Sequence, residues 1–298
     1  GRILIFRPRV LIRSVFVEVA FLRGVMGLDS FAGQHQKGAM GAYKIVIALS
    51  TYNRPLVTQI CLRSLQAVRS PEVWLVAYDD ASTAYDRDFL AASCDEVVRF
   101  HRNGGIERSR ARALRDFVHR FQDYDLLYLT DNDTVHDPVF VSQLNQFFRV
   151  QAAAEKPFPV CLYNSRFHAQ AGNLLSETKS FLVRKTAPGV SHCYNRAMAE
   201  TIVRGLDQRP DLETIYGWDY YLPSLLGVPF LQSRTSYLEH FARDRDEAGL
   251  HSKNTGTGPA AISDFDRDRA LFPTPFLEQI RPEVIAEILG RGEVKPPS

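Results

Sequence analysis

Residues 125–137 read Asp-Leu-Leu-Tyr-Leu-Thr-Asp-Asn-Asp-Thr-Val-His-Asp and form the most informative pattern in the chain. Leu126 to Leu129 make a short apolar run, which is typical of a fully buried strand. The run ends at Asp131 and Asp133, two carboxylates one residue apart. Mg²⁺ is commonly held by one or two carboxylates while substrate phosphates complete its shell, so this position suits a divalent cation. The alternative is that Asp131 begins a turn or caps a helix and that Asp133 is solvated.

The composition limits the classes of protein to consider. With 298 residues, 45% of them hydrophobic, the chain can bury the core of one large domain or of two small ones. A formal net charge of +2 provides no electrostatic footprint for nucleic acid, so no nucleic-acid partner is expected. No run of 18 uncharged apolar residues occurs, and no transmembrane helix is predicted.

The cysteines indicate a reducing compartment. They have neither the spacing of a metal site nor that of a disulfide framework, which favours reduced, buried thiols in a cytoplasmic protein. The four residues are Cys61, Cys94, Cys161 and Cys193.

The two ends of the chain differ from its body. Residues 1–42 are a basic, apolar segment followed by a Gly-rich linker, and Val10 to Met26 has the pattern of a helix with a broad apolar face. Such a helix is compatible with peripheral contact at the inner membrane face, or with packing of residues 2–31 on a partner domain or on this one. Residues 259–298 are predicted to form a C-terminal helical tail.

The body of the chain alternates strands and helices, which specifies an α/β fold. Such alternation predicts a mostly parallel, Rossmann-like sheet covered by helices on both faces, with ligands outside the carboxyl ends of its strands. The predicted strand ends carry polar or glycine residues, and we expect them to converge on one edge. These ends are Tyr52-Asn53, Asp79-Asp80, Asn103-Gly104-Gly105 and Asp131-Asn132-Asp133.

The order of these motifs resembles that of the family 2 glycosyltransferases, which have the GT-A fold. The resemblance covers roughly Lys44 to His251. In the family, the successive strand ends carry Thr-Tyr-Asn-Arg, Asp-Asp-x-Ser, Asn-x-Gly before a helix with an arginine, and the metal motif Asp-x-Asp. The matching residues here are Thr51-Tyr52-Asn53-Arg54, Asp79-Asp80-Ala81-Ser82, Asn103, Gly105 and Arg110, and Asp131 and Asp133.

The resemblance implies a GT-A domain over residues 43–258, with a nucleotide-binding half at 43–137 and a less regular acceptor half at 138–258. The implied enzyme is a metal-dependent inverting glycosyltransferase of the hexosyltransferase type (EC 2.4). It would move a sugar from a nucleotide-diphosphate donor to a hydroxyl of a glycan or glycolipid, as in polysaccharide biosynthesis. UDP is the expected nucleotide, with dTDP and GDP left open.

The implied cofactor is Mn²⁺ or Mg²⁺. Asp133 is expected to bind the ion directly, Asp131 to contact it or the ribose, and His240 to complete the shell, with His251 as the second choice. A divalent ion would stabilise the leaving diphosphate as its charge grows. The alternative for His240 is a hydrogen-bonded polar residue on a strand.

The implied catalytic base is Asp219. Inversion needs one carboxylate within hydrogen-bond reach of the acceptor hydroxyl. The family has a Glu-Asp pair at this place, whereas this chain has Trp218-Asp219, so only the Asp is kept. The alternative is that Asp219 caps the following helix.

The remaining site residues fall into a donor group and an acceptor group. Asp79 or Asp80 is expected to bond the nucleobase, with Tyr52 beside it. The other donor residues are Thr51, Asn53, Arg54, Asn103, Gly105, Arg110, Asp131 and Asn132. The acceptor residues are Trp218, whose ring could stack on a sugar, His192 and Tyr194.

Two other functions remain open from the sequence. A sugar-phosphate nucleotidylyltransferase has a related sheet but a Gly-rich first loop, and Ser50-Thr51-Tyr52-Asn53 contains no glycine. A catalytically inactive nucleotide- or sugar-binding module would not need Asp131, Asp133, Asp219 and His240 together.

Overall fold

The structure is a computed structural model that describes residues 42–152, 154, 156–164, 172–178, 180–215 and 217–240. Five side chains within these ranges lie outside the description, those of Leu56, Asp219, Tyr220, Pro223 and Glu239. The predicted N-terminal helix, the C-terminal tail and His251 also lie outside the described residues.

The described residues form eleven strands, six α-helices and one 3₁₀ helix. The strands are β1 (Ile45–Thr51), β2 (Val73–Asp79), β3 (Glu96–Arg99), β4 (Leu126–Asp131), β5 (Thr134–His136), β6 (Val160–Cys161), β7 (Leu174–Glu177), β8 (Phe181–Arg184), β9 (Ser191–Asn195), β10 (Phe230–Ser233) and β11 (Leu238–His240). The α-helices are α1 (Pro55–Gln66), α2 (Arg87–Ala91), α3 (Ile106–His119), α4 (Phe140–Val150), α5 (Arg196–Gln208) and α6 (Trp218–Leu226), and the 3₁₀ helix is Pro210–Glu213.

Nine strands form one sheet in the order β3-β2-β1-β4-β9-β6-β10-β8-β7. Only β9 and β8 run against the other strands, so the predicted mostly parallel α/β sheet is confirmed. Because β1 lies between β2 and β4, the strand order reverses between β1 and β4. Open α/β sheets bind their ligands outside the carboxyl ends at such a point. A separate pair, β5 with β11, lies beyond the end of β4.

Helices cover both faces of this sheet, as the sequence predicts. On one face α1 buries Cys61 and Leu65 with Leu144 of α4, and on the other α3 buries Leu114 and Phe117 with parts of α5 and α6. These residues recur at helical spacing, and each buried Leu or Phe contributes about 1.5–3 kcal/mol. None of the described helices has the length and apolar character needed to cross a bilayer.

The second half departs most from the sequence prediction. Residues 188–196 lead into a helix as the sequence predicts, since α5 begins at Arg196, but Ser191–Asn195 also forms β9, which the sequence does not predict and which pairs with both β4 and β6. A five-residue strand with three polar residues, Ser191, His192 and Asn195, has no clear alternation, so its pattern resembles a loop. The short elements β7, β10 and α2 are also absent from the sequence prediction.

Candidate functional site

The loop after β1 has an unfavourable backbone conformation. Asn53 and Arg54 have φ angles of 51° and 61°, in the left-handed region. The Asn53 side-chain oxygen accepts hydrogen bonds from the backbone N–H groups of Thr83 (2.7 Å) and Ala84 (3.0 Å), which hold the loop. Left-handed residues other than glycine cost of order 1–3 kcal/mol each, and such strain concentrates at functional sites.

Asp133 lies between the guanidinium of Arg54 and the imidazole of His240. Arg54 Nη1 donates to Asp133 Oδ2 at 2.9 Å, and His240 Nε2 lies 3.1 Å from Asp133 Oδ1. Asp133 is only 3% exposed. His240 reaches this position because β11 pairs with β5, which places it opposite Thr134. The structure therefore places two of the three predicted metal ligands, Asp133 and His240, in direct contact.

Asp131 is held by Arg110 from α3. Arg110 Nη2 lies 3.0 Å from each carboxylate oxygen of Asp131. Burial raises the pKa of Asp131 and Asp133 adds to the rise, whereas Arg110 and His240 oppose it. Since Ser50 is in register with Asp131, the Asp131 carboxylate lies at the β1–β4 reversal point of the sheet.

Asp80 anchors the start of α3. Its two carboxylate oxygens accept hydrogen bonds from the N–H groups of Gly104 and Gly105, both at 2.8 Å. Gly105 precedes the helix with φ 90°, a conformation that favours glycine. Burial raises the pKa of Asp80, and the two N–H groups oppose the rise. Asp80 thus fixes the helix whose Arg110 holds Asp131, which is a different role from the expected bond to a nucleobase.

Asp79 also has an internal role. It is fully buried, and its Oδ1 accepts hydrogen bonds from the Ser82 N–H (3.1 Å) and from the hydroxyls of Ser82 and Thr51. Arg99 Nε lies 3.3 Å from its Oδ2. These contacts give Asp79 a role in holding the end of β2, and the expected bond of Asp79 or Asp80 to a nucleobase stays a prediction.

The other predicted donor residues occupy the same edge with different roles. Asn132 is buried and donates to the Thr58 hydroxyl at 2.7 Å, which ties the end of β4 to α1. Tyr52 is half-buried beside the strained loop, and Asn103 is exposed before α3. Asn132 therefore supports the site from inside, while Tyr52 and Asn103 lie at its rim.

Glu107 joins the site although the sequence analysis did not single it out. It is 6% exposed in the first turn of α3, and its Oε1 accepts a hydrogen bond from the Gly217 N–H at 3.3 Å. Burial raises the pKa of Glu107, Arg110 opposes the rise and Asp131 adds to it. The spacing of Glu107 and Arg110, three residues apart on one helix, was the available signal.

The three predicted acceptor residues are buried, and this expectation is corrected. His192 and Tyr194 are fully buried in β9, and Trp218 is 2% exposed in the core beneath α6. His192 Nε2 lies 3.0 Å from the Ala187 carbonyl, which only accepts, so Nδ1 accepts the Tyr194 hydroxyl at 2.9 Å. Because β9 is a central strand, these side chains pack inside the molecule.

Asp219 is the second residue of α6, directly after Trp218 and two residues after Gly217. Its side chain lies outside the described part of the structure. The role of Asp219 as base therefore stays a prediction.

The side chains at the end of β4 carry oxygen and nitrogen atoms of the types that bind a hard divalent ion. Two carboxylates and one imidazole lie there, and Mg²⁺ needs only one or two carboxylates when phosphates complete its shell. In the described residues, no three His, Cys, Asp or Glu side chains form a ready-made metal cluster. The two aspartates instead face Arg54 and Arg110. A metal would thus be held by part of the predicted set together with ligand oxygens.

No protein-family model matches this sequence, and neither does any curated protein. Among solved structures, residues 1–349 of S. aureus TarS are 14% identical with a TM-score of 0.47, covering 83% of this chain and 81% of that chain. The same fragment in complex with UDP-GlcNAc is 15% identical with a TM-score of 0.46, covering 82% and 81%.

Two other structures are similar over part of their length. The chain matches 36% of a longer TarS structure, at 15% identity and a TM-score of 0.46 over 65% of this chain. A197 from STIV is 15% identical with a TM-score of 0.40, covering 66% of this chain and 84% of that chain. TM-scores below 0.5 do not establish a shared family or activity.

Proposed function

We propose that this chain is a metal-dependent, inverting glycosyltransferase of the family 2 type. It transfers a hexosyl group from a nucleotide-diphosphate sugar, with UDP as the first choice, to a hydroxyl of a glycan or glycolipid. One observation supports this most strongly. Asp131, Asp133, Arg54, Arg110 and His240 lie together at the β1–β4 reversal point of the sheet.

The charges of this cluster suit a diphosphate bound together with a divalent ion. Asp131 and Asp133 carry two negative charges, and Arg54 and Arg110 carry two positive ones, so the four side chains sum to zero. A divalent ion would leave a surplus of two positive charges, which matches the charge of a sugar diphosphate. Asp133, Asp131 and His240 would hold the ion, which when bound would neutralise the growing charge of the leaving diphosphate.

The two arginines are suited to orient the same diphosphate. Guanidinium groups present several N–H donors in a fixed plane, which matches the geometry of phosphate oxygens. Arg54, from the loop after β1, and Arg110, from α3, already approach the aspartates at 2.9 and 3.0 Å. Their backbones are fixed by the strained β1 loop and by the Asp80 contact with α3.

The base in this proposal is Asp219, which takes the proton of the acceptor hydroxyl as that oxygen attacks the anomeric carbon. The glycosidic bond to the diphosphate breaks in the same step, and the configuration inverts. The start of α6 is tied to α3 through the Glu107–Gly217 hydrogen bond. Since α3 also carries Arg110, one helix links the base-bearing segment to the donor cluster.

The direct experiment is hydrolysis of nucleotide sugars by the purified protein. UDP-, dTDP- and GDP-sugars are incubated with and without Mn²⁺, and the released nucleotide is measured. We expect Mn²⁺-dependent release of UDP that is lost in Asp133→Asn and kept in Asp123→Asn, which changes an exposed acid.

The products separate the competing functions. Release of a sugar phosphate when pyrophosphate is added would indicate a nucleotidylyltransferase. Binding of UDP-sugar without any turnover, even with candidate acceptors, would indicate an inactive binding module. Absence of both binding and turnover for all three nucleotides contradicts the proposal.

A further inference from the structure

Arg184 is a buried charge for which the described residues provide no counter-ion. It is the last residue of β8 and is 6% exposed. Its Nε and Nη1 atoms are buried and form no hydrogen bond within the described part of the chain. A buried ion without a partner is strongly unfavourable, so such a group calls for a ligand or ion to explain it.

Arg234 is a second arginine close enough to Arg184 to affect its pKa. Burial lowers the pKa of Arg184, Arg234 lowers it further, and Cys161 opposes the change. Arg234 is itself paired with Glu177 Oε2 at 2.5 Å and donates to the Thr178 carbonyl. Among the described residues no carboxylate opposes the effect of burial on Arg184, so its buried Nε and Nη1 groups favour an anion.

Strand register places a second polar group on the same face. Arg184 is paired with Phe230, and Gln232 is paired with Leu182, so Arg184 and Gln232 are diagonal neighbours across β8 and β10. Gln232 is fully buried, and its Oε1 has no hydrogen-bond donor among the described residues. An available acceptor therefore lies beside the available donors.

Arg184 lies next to the edge strand of the sheet. Arg184 is in register with Leu174 of the edge strand β7, and Leu174 is 40% exposed. The strands β8 and β4 are antiparallel. The carboxyl end of β8, where Arg184 lies, is therefore on the opposite side of the sheet from the carboxyl end of β4, where Asp131 lies. The Arg184 position is therefore separate from the donor cluster.

We infer that Arg184 and Gln232 form an anion-binding site for a phosphate or carboxylate group of a hydroxyl-bearing ligand. The Arg184 N–H groups bind the oxyanion, and Gln232 Oε1 accepts a hydrogen bond from a hydroxyl next to it. Leu174, in register with Arg184 on the edge strand, contacts the apolar part of the ligand. This inference does not depend on the proposed transfer reaction.

The test measures anion binding by the full chain at constant ionic strength. Inorganic phosphate and glucuronate are titrated calorimetrically into the wild type, R184M, R184K and R204M, where Arg204 is an exposed helix arginine. We expect R184M to lose affinity at least tenfold, R184K to keep part of it and R204M to match the wild type. The tighter of the two anions identifies the phosphate or the carboxylate as the natural group.

A melting experiment distinguishes this site from a structural role. If Arg184 is an anion-binding residue, R184M without anion melts at or above the melting temperature of the wild type. Adding the anion then raises the melting temperature of the wild type but not that of R184M. The inference is overturned if neither anion binds the wild type, if R184M binds both like the wild type, or if R184M melts several degrees lower without anion.

Discussion

The two halves of the nine-stranded sheet differ in how their buried arginines are paired. The first half is β3-β2-β1-β4, and the second half is β9-β6-β10-β8-β7. In the first half, Arg54 and Arg110 each face an aspartate at the end of β4. In the second half, Arg184 is equally buried but has no hydrogen-bond partner among the described residues for Nε and Nη1. The first half thus has its charges balanced before any ligand arrives, while the second half has a charge that a ligand can balance.

This difference agrees with how each half is built. The first half consists of parallel strands whose loops are fastened by internal hydrogen bonds, such as those of Asp80 with Gly104 and Gly105. The second half inserts the antiparallel strands β9 and β8, which bury polar side chains inside the sheet. Charge balance should therefore matter for stability mainly in the first half and for ligand binding mainly in the second.

The largest expected effect is on the sugar-transfer step, which requires the proposed base Asp219 together with the donor cluster. Asp219→Asn removes the proposed base, and general-base catalysis contributes roughly 10²–10⁴-fold. Steady-state kinetics should show turnover reduced by about that factor, with an unchanged dissociation constant for UDP. Unchanged turnover would remove Asp219 as the base.

The next effect compares the buried arginines directly. Arg54→Met removes the guanidinium that pairs with Asp133, and breaking a buried ion pair costs about 3 kcal/mol or more. Urea denaturation should show this loss for Arg54→Met, while Arg184→Met should not lower the free energy of unfolding. Equal destabilisation by the two substitutions would remove the contrast between the halves.

A pH effect should come from the first half. His136 is fully buried in β5, and burial lowers its pKa from 6.5 to about 3. Between pH 6.5 and pH 3, His136 therefore binds a proton in the unfolded chain but not in the folded chain. As a result, the free energy of unfolding falls as the pH drops through this range. The slope due to this residue is at most about 1.4 kcal/mol per pH unit.

Urea denaturation at several pH values checks this expectation. His136→Asn should remove the slope that His136 contributes. The exposed His119→Asn, at the end of α3, should keep it. An unchanged slope in His136→Asn would show that other groups cause the acid sensitivity.

The smallest expected effect tests the Glu107–Gly217 hydrogen bond, which links α3 to the start of α6. Glu107→Ala removes the acceptor of the Gly217 N–H and should lower turnover about tenfold, the value of one hydrogen bond of about 1.4 kcal/mol. Glu107→Gln keeps an acceptor oxygen and should restore most of the turnover. Kinetics in which both variants are equally impaired would point to the charge of Glu107 instead of its hydrogen bond.

The first half was readable from sequence because its elements follow strong local rules. Leu126 to Leu129 is an unbroken apolar run, and Cys61 and Leu65 recur at helical spacing, so β4 and α1 lie where the pattern predicts. Parallel strands also send their carboxyl ends to one edge, so the end of β4 and the helix that follows β3 bring Asp131 and Arg110 within hydrogen-bond distance.

The second half depends on contacts that sequence patterns do not encode. Whether His192 faces a ligand or the core depends on the pairing of β9 with β4 and β6, which are distant in sequence. Trp218 was expected at a sugar because of its neighbour Asp219, but its ring fills the core. The inward turn of Asp79 likewise depends on Arg99 and Ser82, which no spacing rule connects to it.

The central claim is that Asp131, Asp133 and their arginines form a donor site for a nucleotide diphosphate with a divalent ion. Calorimetric titration of UDP with and without Mn²⁺ tests it most directly. We expect UDP to bind one site per chain at least tenfold more tightly with Mn²⁺, and this gain to disappear in Asp133→Asn. UDP binding that is absent, or that is the same with and without Mn²⁺, would contradict the claim.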